Sequence, residues 1–220
     1  MLKNKRILTS PKQTNIKNIL FLIKYLPSLF SIILSILIIT FIYIQKQIDF
    51  KAEALKIKKD YIKNNKLMIK NEVRRVYKNI LYEEQLIEEQ LKMLSANKTD
   101  AKNFKENIKK KILDKISNIR YDKSGYIFII GYDQKILSHF QKDYVTNNLI
   151  DYGRKDNRKI TRDIINIAKQ GEGYLVYKGT LSPNPSIKTS FIKGFEKWGW
   201  AIGTGFYDNE IYEIINKRKI

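Results

Sequence analysis

The sequence predicts an α+β protein: one apolar helix, a long helical stalk, then a five-stranded antiparallel sheet with flanking helices. Three observations predict it. Residues Tyr25–Ile44 run for twenty positions without a charge. From Gln45 to about residue 95, glycine and proline are absent while apolar residues recur every three or four positions. After Tyr121, short β-rich runs alternate with glycine, asparagine and proline turn signals.

Composition narrows the function classes. The 220 residues carry 42 Lys+Arg against 22 Asp+Glu, a formal net charge of +20, with 43% hydrophobic residues and no cysteine. A chain this apolar can build a core, and one without cysteine has no disulfide, thiolate nucleophile or Cys-ligated metal. His139 is the single histidine, too few for a histidine-built metal centre, so no metal and no cofactor are expected. The basic residues are spread along the chain without an arginine-rich cluster, so no nucleic-acid partner is expected.

The apolar run comes first. At about 1.5 Å per residue, twenty residues span roughly 30 Å, the hydrocarbon thickness of a bilayer. Only Ser28, Ser31, Ser35 and Thr40 interrupt it with polar groups, and hydroxyls can bond back to their own helix. Pro27 is expected in the first turn, where its missing N–H costs little. Thr40 to Gln45 offers no small-residue cleavage site, so the run reads as an uncleaved transmembrane anchor. Six bases and no acid precede it, and the first acid is Asp49. The positive-inside rule then leaves residues 1–24 in the cytoplasm and exports the rest.

The stalk follows. Phe50, Ala54, Ile57 and Tyr61, then Ile69, Val73, Val76, Ile80, Ile87, Leu91 and Leu94, form one stripe whose phase slips near Asn64-Asn65-Lys66. The stripe suits a conduit for a displacement, a passive stalk or a homodimer seam. Glu83-Glu84 and Glu88-Glu89 are expected to lie on its solvated face. Ser95 to Asp100 supplies capping residues, and a second helix carries Phe104, Ile108, Ile112, Ile116 and Ile119 on one side. Strands are expected at Gly125–Ile130, Lys135–Phe140, Gly173–Tyr177, Ile187–Phe195 and Trp200–Tyr207. A polar stretch, Gln141–Lys159, precedes a helix at Thr161–Lys169. Turn chemistry marks Gly131–Gln134 and Ser182–Pro185. The tail, Asp208–Lys219, reads as a helix.

Six ordered blocks over about 120 residues resemble the single Cache domain, the PAS-like extracellular sensor of bacterial chemoreceptors and sensor histidine kinases. They are Arg120-Tyr-Asp-Lys-Ser-Gly-Tyr-Ile-Phe-Ile129, Leu137-Ser-His139, Asn148-Leu-Ile-Asp151, the isoleucine-rich helix, Gly171-Glu-Gly-Tyr174, and Lys188 to Tyr207 ending in Trp198-Gly-Trp-Ala-Ile-Gly-Thr-Gly205. The chain departs from the family pattern at Phe140, where many members have proline, and in the loop Asp151–Asn157. It also stops at Ile220 without the second span and output domain such sensors normally carry, so it is expected to be a fragment or to act through another protein.

The resemblance implies a PAS-like sheet and a small ligand, often a carboxylate, held between the sheet and the covering loop and helix. Near the matching blocks the available donors are Lys188, His139, Tyr126, Tyr144, Tyr177 and Tyr207; Phe128, Trp198 and Trp200 are candidate apolar walls. Lys188 leads because the last block begins with it. Core packing is the competing reading for the two tryptophans, and a bond to a backbone carbonyl for His139. No catalytic constellation is visible, so no enzyme activity is expected.

The expected organisation is a basic N-terminus (1–24), a transmembrane helix (25–44), an extracytoplasmic stalk and second helix (45–119), a Cache-like core (120–207) and a terminal helix (208–220). The expected function is a sensor in the bacterial inner membrane, facing the periplasm or the cell exterior. Its expected partners are a small-molecule ligand, the bilayer, a second copy of the chain through the stalk, and a signalling kinase or chemoreceptor output module. A tethered scaffold with a ligand-free Cache-like fold, and a binder of anionic surfaces, are the alternatives.

Overall fold

Stripe and apolar run fall in one helical element, α1 (Thr14–Leu94). The computed structural model describes residues 14–94, 98–122, 124–146, 155–179, 186–211 and 215. The expected turn at Ser182–Pro185, the Asn148–Asp151 block and most of the terminal helix lie outside them. By its internal contacts the chain divides into two compact units, Met1–Lys56 and Ile57–Ile220.

In the first unit the large apolar side chains face outward: Leu20, Phe30, Ile39 and Phe41 are all more than 60% exposed. By length and composition this helix is apolar enough to cross a membrane. Its hydroxyls bond back as expected, Ser28 Oγ to the Tyr25 carbonyl and Ser35 Oγ to the Ser31 carbonyl, both at 2.9 Å. Pro27 differs from expectation. Because the helix begins at Thr14, the proline lies inside it and leaves the carbonyl one turn earlier without its usual donor.

In the second unit α1 is followed by α2 (Lys98–Ser117), then short strands β1 (Arg120–Tyr121) and β2 (Gly125–Tyr126) that pair with each other. After β3 (Phe128–Gly131) and β4 (Ile136–Ser138) come α3 (Asp143–Thr146), α4 (Lys155–Lys169), β5 (Glu172–Lys178), β6 (Ile187–Phe195) and β7 (Trp200–Tyr207). The five-stranded sheet has the order β4-β3-β7-β6-β5 with every pair antiparallel. The expected first strand is split, its Gly125-Tyr126 end pairing with β1. The helix α4 starts six residues before Thr161, in a polar first turn that carries no periodic apolar signal.

Alternation divides the sheet into two faces. Ile127, Ile129, Phe191, Phe195, Trp200, Ile202 and Phe206 face one way and pack with Ile69, Val73, Val76, Ile80 and Ile87 of α1. Those five helix residues are at most 1% exposed, and burying each stabilises the fold by about 1.5–3 kcal/mol. This part of the stripe is therefore covered by the chain's own sheet and is not the homodimer seam the periodicity suggested. Residues 57–119 lie in the same compact unit as the sheet.

Glu84 also departs from expectation. It is 1% exposed, not solvated, because its position on α1 turns it toward the sheet. Its carboxylate accepts from Lys105 Nζ at 3.0 Å and from the Trp198 indole N–H, the partners a buried charge requires. Glu88 remains at the surface, paired with Lys197 at 3.3 Å.

Candidate functional site

On the other face of the sheet, Tyr126, Phe128, Ile130, Ile192 and Ala201 meet Ile164, Ile165 and Ala168 of α4. Where this layer opens it leaves a cavity of about 70 Å³. That is room for several waters or one small molecule.

The sheet register builds the polar wall. Lys188 on β6 is directly opposite Tyr177 on β5 and Tyr207 on β7, so three side chains stand in one row on one face. Gly205 makes room for that row, since a Cβ there would press on the Ser190 hydroxyl and lie 3.0 Å from Lys188 Cε. Phe128 enters from β3, opposite Gly203, where any side chain would overlap its ring.

Lys188 is 3% exposed. Its ammonium donates to the Tyr126 hydroxyl at 2.8 Å. It lies 4.6 Å from the Tyr126 ring centroid, 5.2 Å from Tyr207 and 5.6 Å from Phe128, so aromatic faces surround the charge. Among the described residues no carboxylate is within ion-pair distance of it. Burial raises the phenol pKa values of Tyr126, Tyr177 and Tyr207, which keeps all three as neutral donors at physiological pH.

His139 closes the side near α3. It is 6% exposed and stacks edge-on against Tyr126 at 4.9 Å and Tyr144 at 5.0 Å. Its Nδ1 accepts from the backbone N–H of Gln141 at 3.1 Å, so the neutral ring carries its proton on Nε2. The bond is to a backbone N–H rather than the carbonyl weighed from the sequence. Burial first, and the Lys188 charge second, lower its pKa to about 4. The imidazole is therefore neutral at physiological pH.

Seven of the nine candidate residues thus line one cavity: Lys188, His139, Tyr126, Phe128, Tyr144, Tyr177 and Tyr207. Trp198 and Trp200 do not. They stack on each other at 4.7 Å on the opposite face, in the α1-facing core. Strand parity decides it, because Trp200 and Tyr207 are seven residues apart on β7 and must face opposite sides. Thr161, Ile160 and Ile164 of α4 also line the cavity and were not among the candidates. Their signal was present: Thr161 is a hydroxyl on an otherwise apolar helix stripe. Among the described residues no group of three His, Asp or Glu side chains is placed to hold a metal.

A Cache domain family model matches residues 97–212. The sensor histidine kinase MctS of Rhizobium johnstonii is 29% identical over 110 residues, 49% of this chain and 24% of that protein. The methyl-accepting chemotaxis protein CtpM of Pseudomonas aeruginosa is 29% identical over 108 residues, 44% of this chain and 18% of that protein. The chain thus spans about a quarter or less of these relatives. A solved structure described as "Structural basis for carboxylic acid recognition by a Cache chemosensory domain" superposes with a TM-score of 0.51 at 18% identity. It covers 68% of this chain and 97% of that one, and at that identity it bears on the fold alone.

Proposed function

The chain belongs to the Cache domain family, and from that premise we propose that it is a membrane-anchored sensor for a small carboxylate. Binding takes place outside the cytoplasm, in a bacterial inner membrane protein, and occupancy passes to a histidine kinase or a chemoreceptor output module. The observation that carries the ligand class is Lys188. A buried ammonium with no carboxylate beside it among the described residues is costly unless an anion joins it. The phenols of Tyr126 and Tyr207 and the His139 Nε2–H are further donors around the same space, and a carboxylate has lone pairs for several of them.

The apolar helix around Tyr25–Ile44 and its basic flank support the anchor and its orientation. The relatives named as a kinase and a chemotaxis protein support the signalling role. For transmission, ligand must favour one arrangement of the sheet against α1 over another. Tyr207 in the cavity and Phe206, which stacks on Tyr61 of α1 at 5.9 Å, are adjacent on β7 and face opposite layers, so a shift of that strand reaches both.

The test is thermal unfolding of the full chain in detergent at moderate salt, with acetate, propionate, lactate, pyruvate, succinate and malate. A ligand at about 100 times its Kd adds about 2.7 kcal/mol, a shift of several degrees. Lys188→Met should abolish that shift while the protein stays folded. No shift with any carboxylate in a well-folded sample would sink the ligand assignment and favour a scaffold.

A further inference from the structure

Thr161 is 1% exposed and sits on the sheet-facing side of α4, among Ile160, Ile164, Ile165 and Ala168. A helical threonine hydroxyl commonly bonds back to the carbonyl one turn earlier. Here it does not: Thr161 Oγ1 is the buried side-chain polar atom that has no hydrogen-bond partner among the described residues. An unmatched buried hydroxyl is costly, and the stripe around it would be filled more favourably by an aliphatic side chain.

Three of its neighbours in the cavity each have a partner within the protein. Lys188 Nζ has the Tyr126 hydroxyl at 2.8 Å, the Tyr177 hydroxyl has Ser190 Oγ at 3.1 Å, and His139 Nδ1 has the Gln141 N–H. The unmatched hydroxyl belongs to a residue lining the same cavity as Lys188. In so small a cavity a ligand anchored on the ammonium also meets the α4 side chains that line it.

We propose that Thr161 is a specificity-determining residue of this cavity. Its hydroxyl bonds a second oxygen of the ligand, selecting short carboxylates with a hydroxyl or oxo group over plain alkanoates of equal length. The proposal rests on the carboxylate reading of the Lys188 cavity. A threonine hydroxyl both donates and accepts, so hydroxy and oxo substituents fit equally, whereas a CH₂ at that point leaves the hydroxyl unmatched.

The test is calorimetric titration of the full chain in detergent with propionate, lactate, pyruvate and 3-hydroxypropionate, which share a three-carbon skeleton. At least one oxygenated acid should bind the wild type about tenfold more tightly than propionate, the discrimination expected of one buried hydrogen bond. Thr161→Val, matched in shape, should bring the ratio of oxygenated-acid to propionate affinity toward one, and Thr161→Ser should keep it. Thr161→Val should also melt no lower than wild type without ligand, since the hydroxyl has no protein partner to lose. Equal preference in wild type and Thr161→Val, or no preference in the wild type, would overturn the proposal, as would a ligand-free loss of stability in Thr161→Val. If no carboxylate binds wild type or variant, the carboxylate reading itself fails and takes this proposal with it.

Discussion

His139 is the single histidine of the chain, so one imidazole signal reports the electrostatics of the cavity. Its pKa is lowered from 6.5 to about 4, by burial first and the Lys188 charge second. A group depressed in the folded state costs nothing above its unfolded value. Between pH 6.5 and about 4 the unfolded chain takes a proton the folded one refuses, so stability falls as pH falls through that window. At 1.36 kcal/mol per pH unit the loss at pH 4.5 is roughly 2–3 kcal/mol. Lys188→Met removes the second cause and leaves the first. The His139 pKa should rise but stay below 6.5, because burial is the larger cause. The assay is an NMR titration of the imidazole from pH 3.5 to 8 in the folded full chain, with urea unfolding of wild type and His139→Gln at pH 7 and 4.5. A wild-type pKa at or above 6.5, or one that Lys188→Met leaves in place, would refute the account of this site as a desolvated imidazole beside a buried ammonium.

Two further outcomes test the division of the sheet into faces. Trp198→Phe takes one donor from the buried Glu84 carboxylate, which should cost about 1.5–3 kcal/mol in urea unfolding; ligand affinity, set on the other face, should not change. Gly203→Ala places a methyl group where the Phe128 ring lies. That overpacking should cost about 1–3 kcal/mol and, by moving Phe128, lower affinity measured by titration.

The cavity was partly legible before the tertiary structure. Lys188, Tyr207, Phe128 and Tyr126 lie in strands marked by aromatic and β-branched runs, and the motif order of a known family points to them. The two tryptophans show the limit of reading residues by block: side-chain parity along β7 separates Trp200 from Tyr207, and that parity was already written in the numbering. Thr161 was similarly visible as the one hydroxyl on the α4 stripe, but it means little until a helix is laid over the sheet and its partners are counted.

What the sequence alone determined is local: the apolar run, the 3.6-residue stripe of α1, the alternating strands and the turns between most of them, since each depends on residues within a few positions of one another. What only the tertiary structure decided is which groups lose their water. Glu84 reads as one more acid on a lysine-rich helix, yet it is buried against Trp198, 114 residues away. The stripe on α1 reads equally well as a seam for a second copy, until the sheet of the same chain covers it. Lys188 is one of many lysines by composition; it is singular because a five-stranded register and a covering helix enclose its ammonium among aromatic rings. Burial is a property of long-range contacts, and desolvation is what sets Lys188, Thr161 and His139 apart from the polar residues that stay in water.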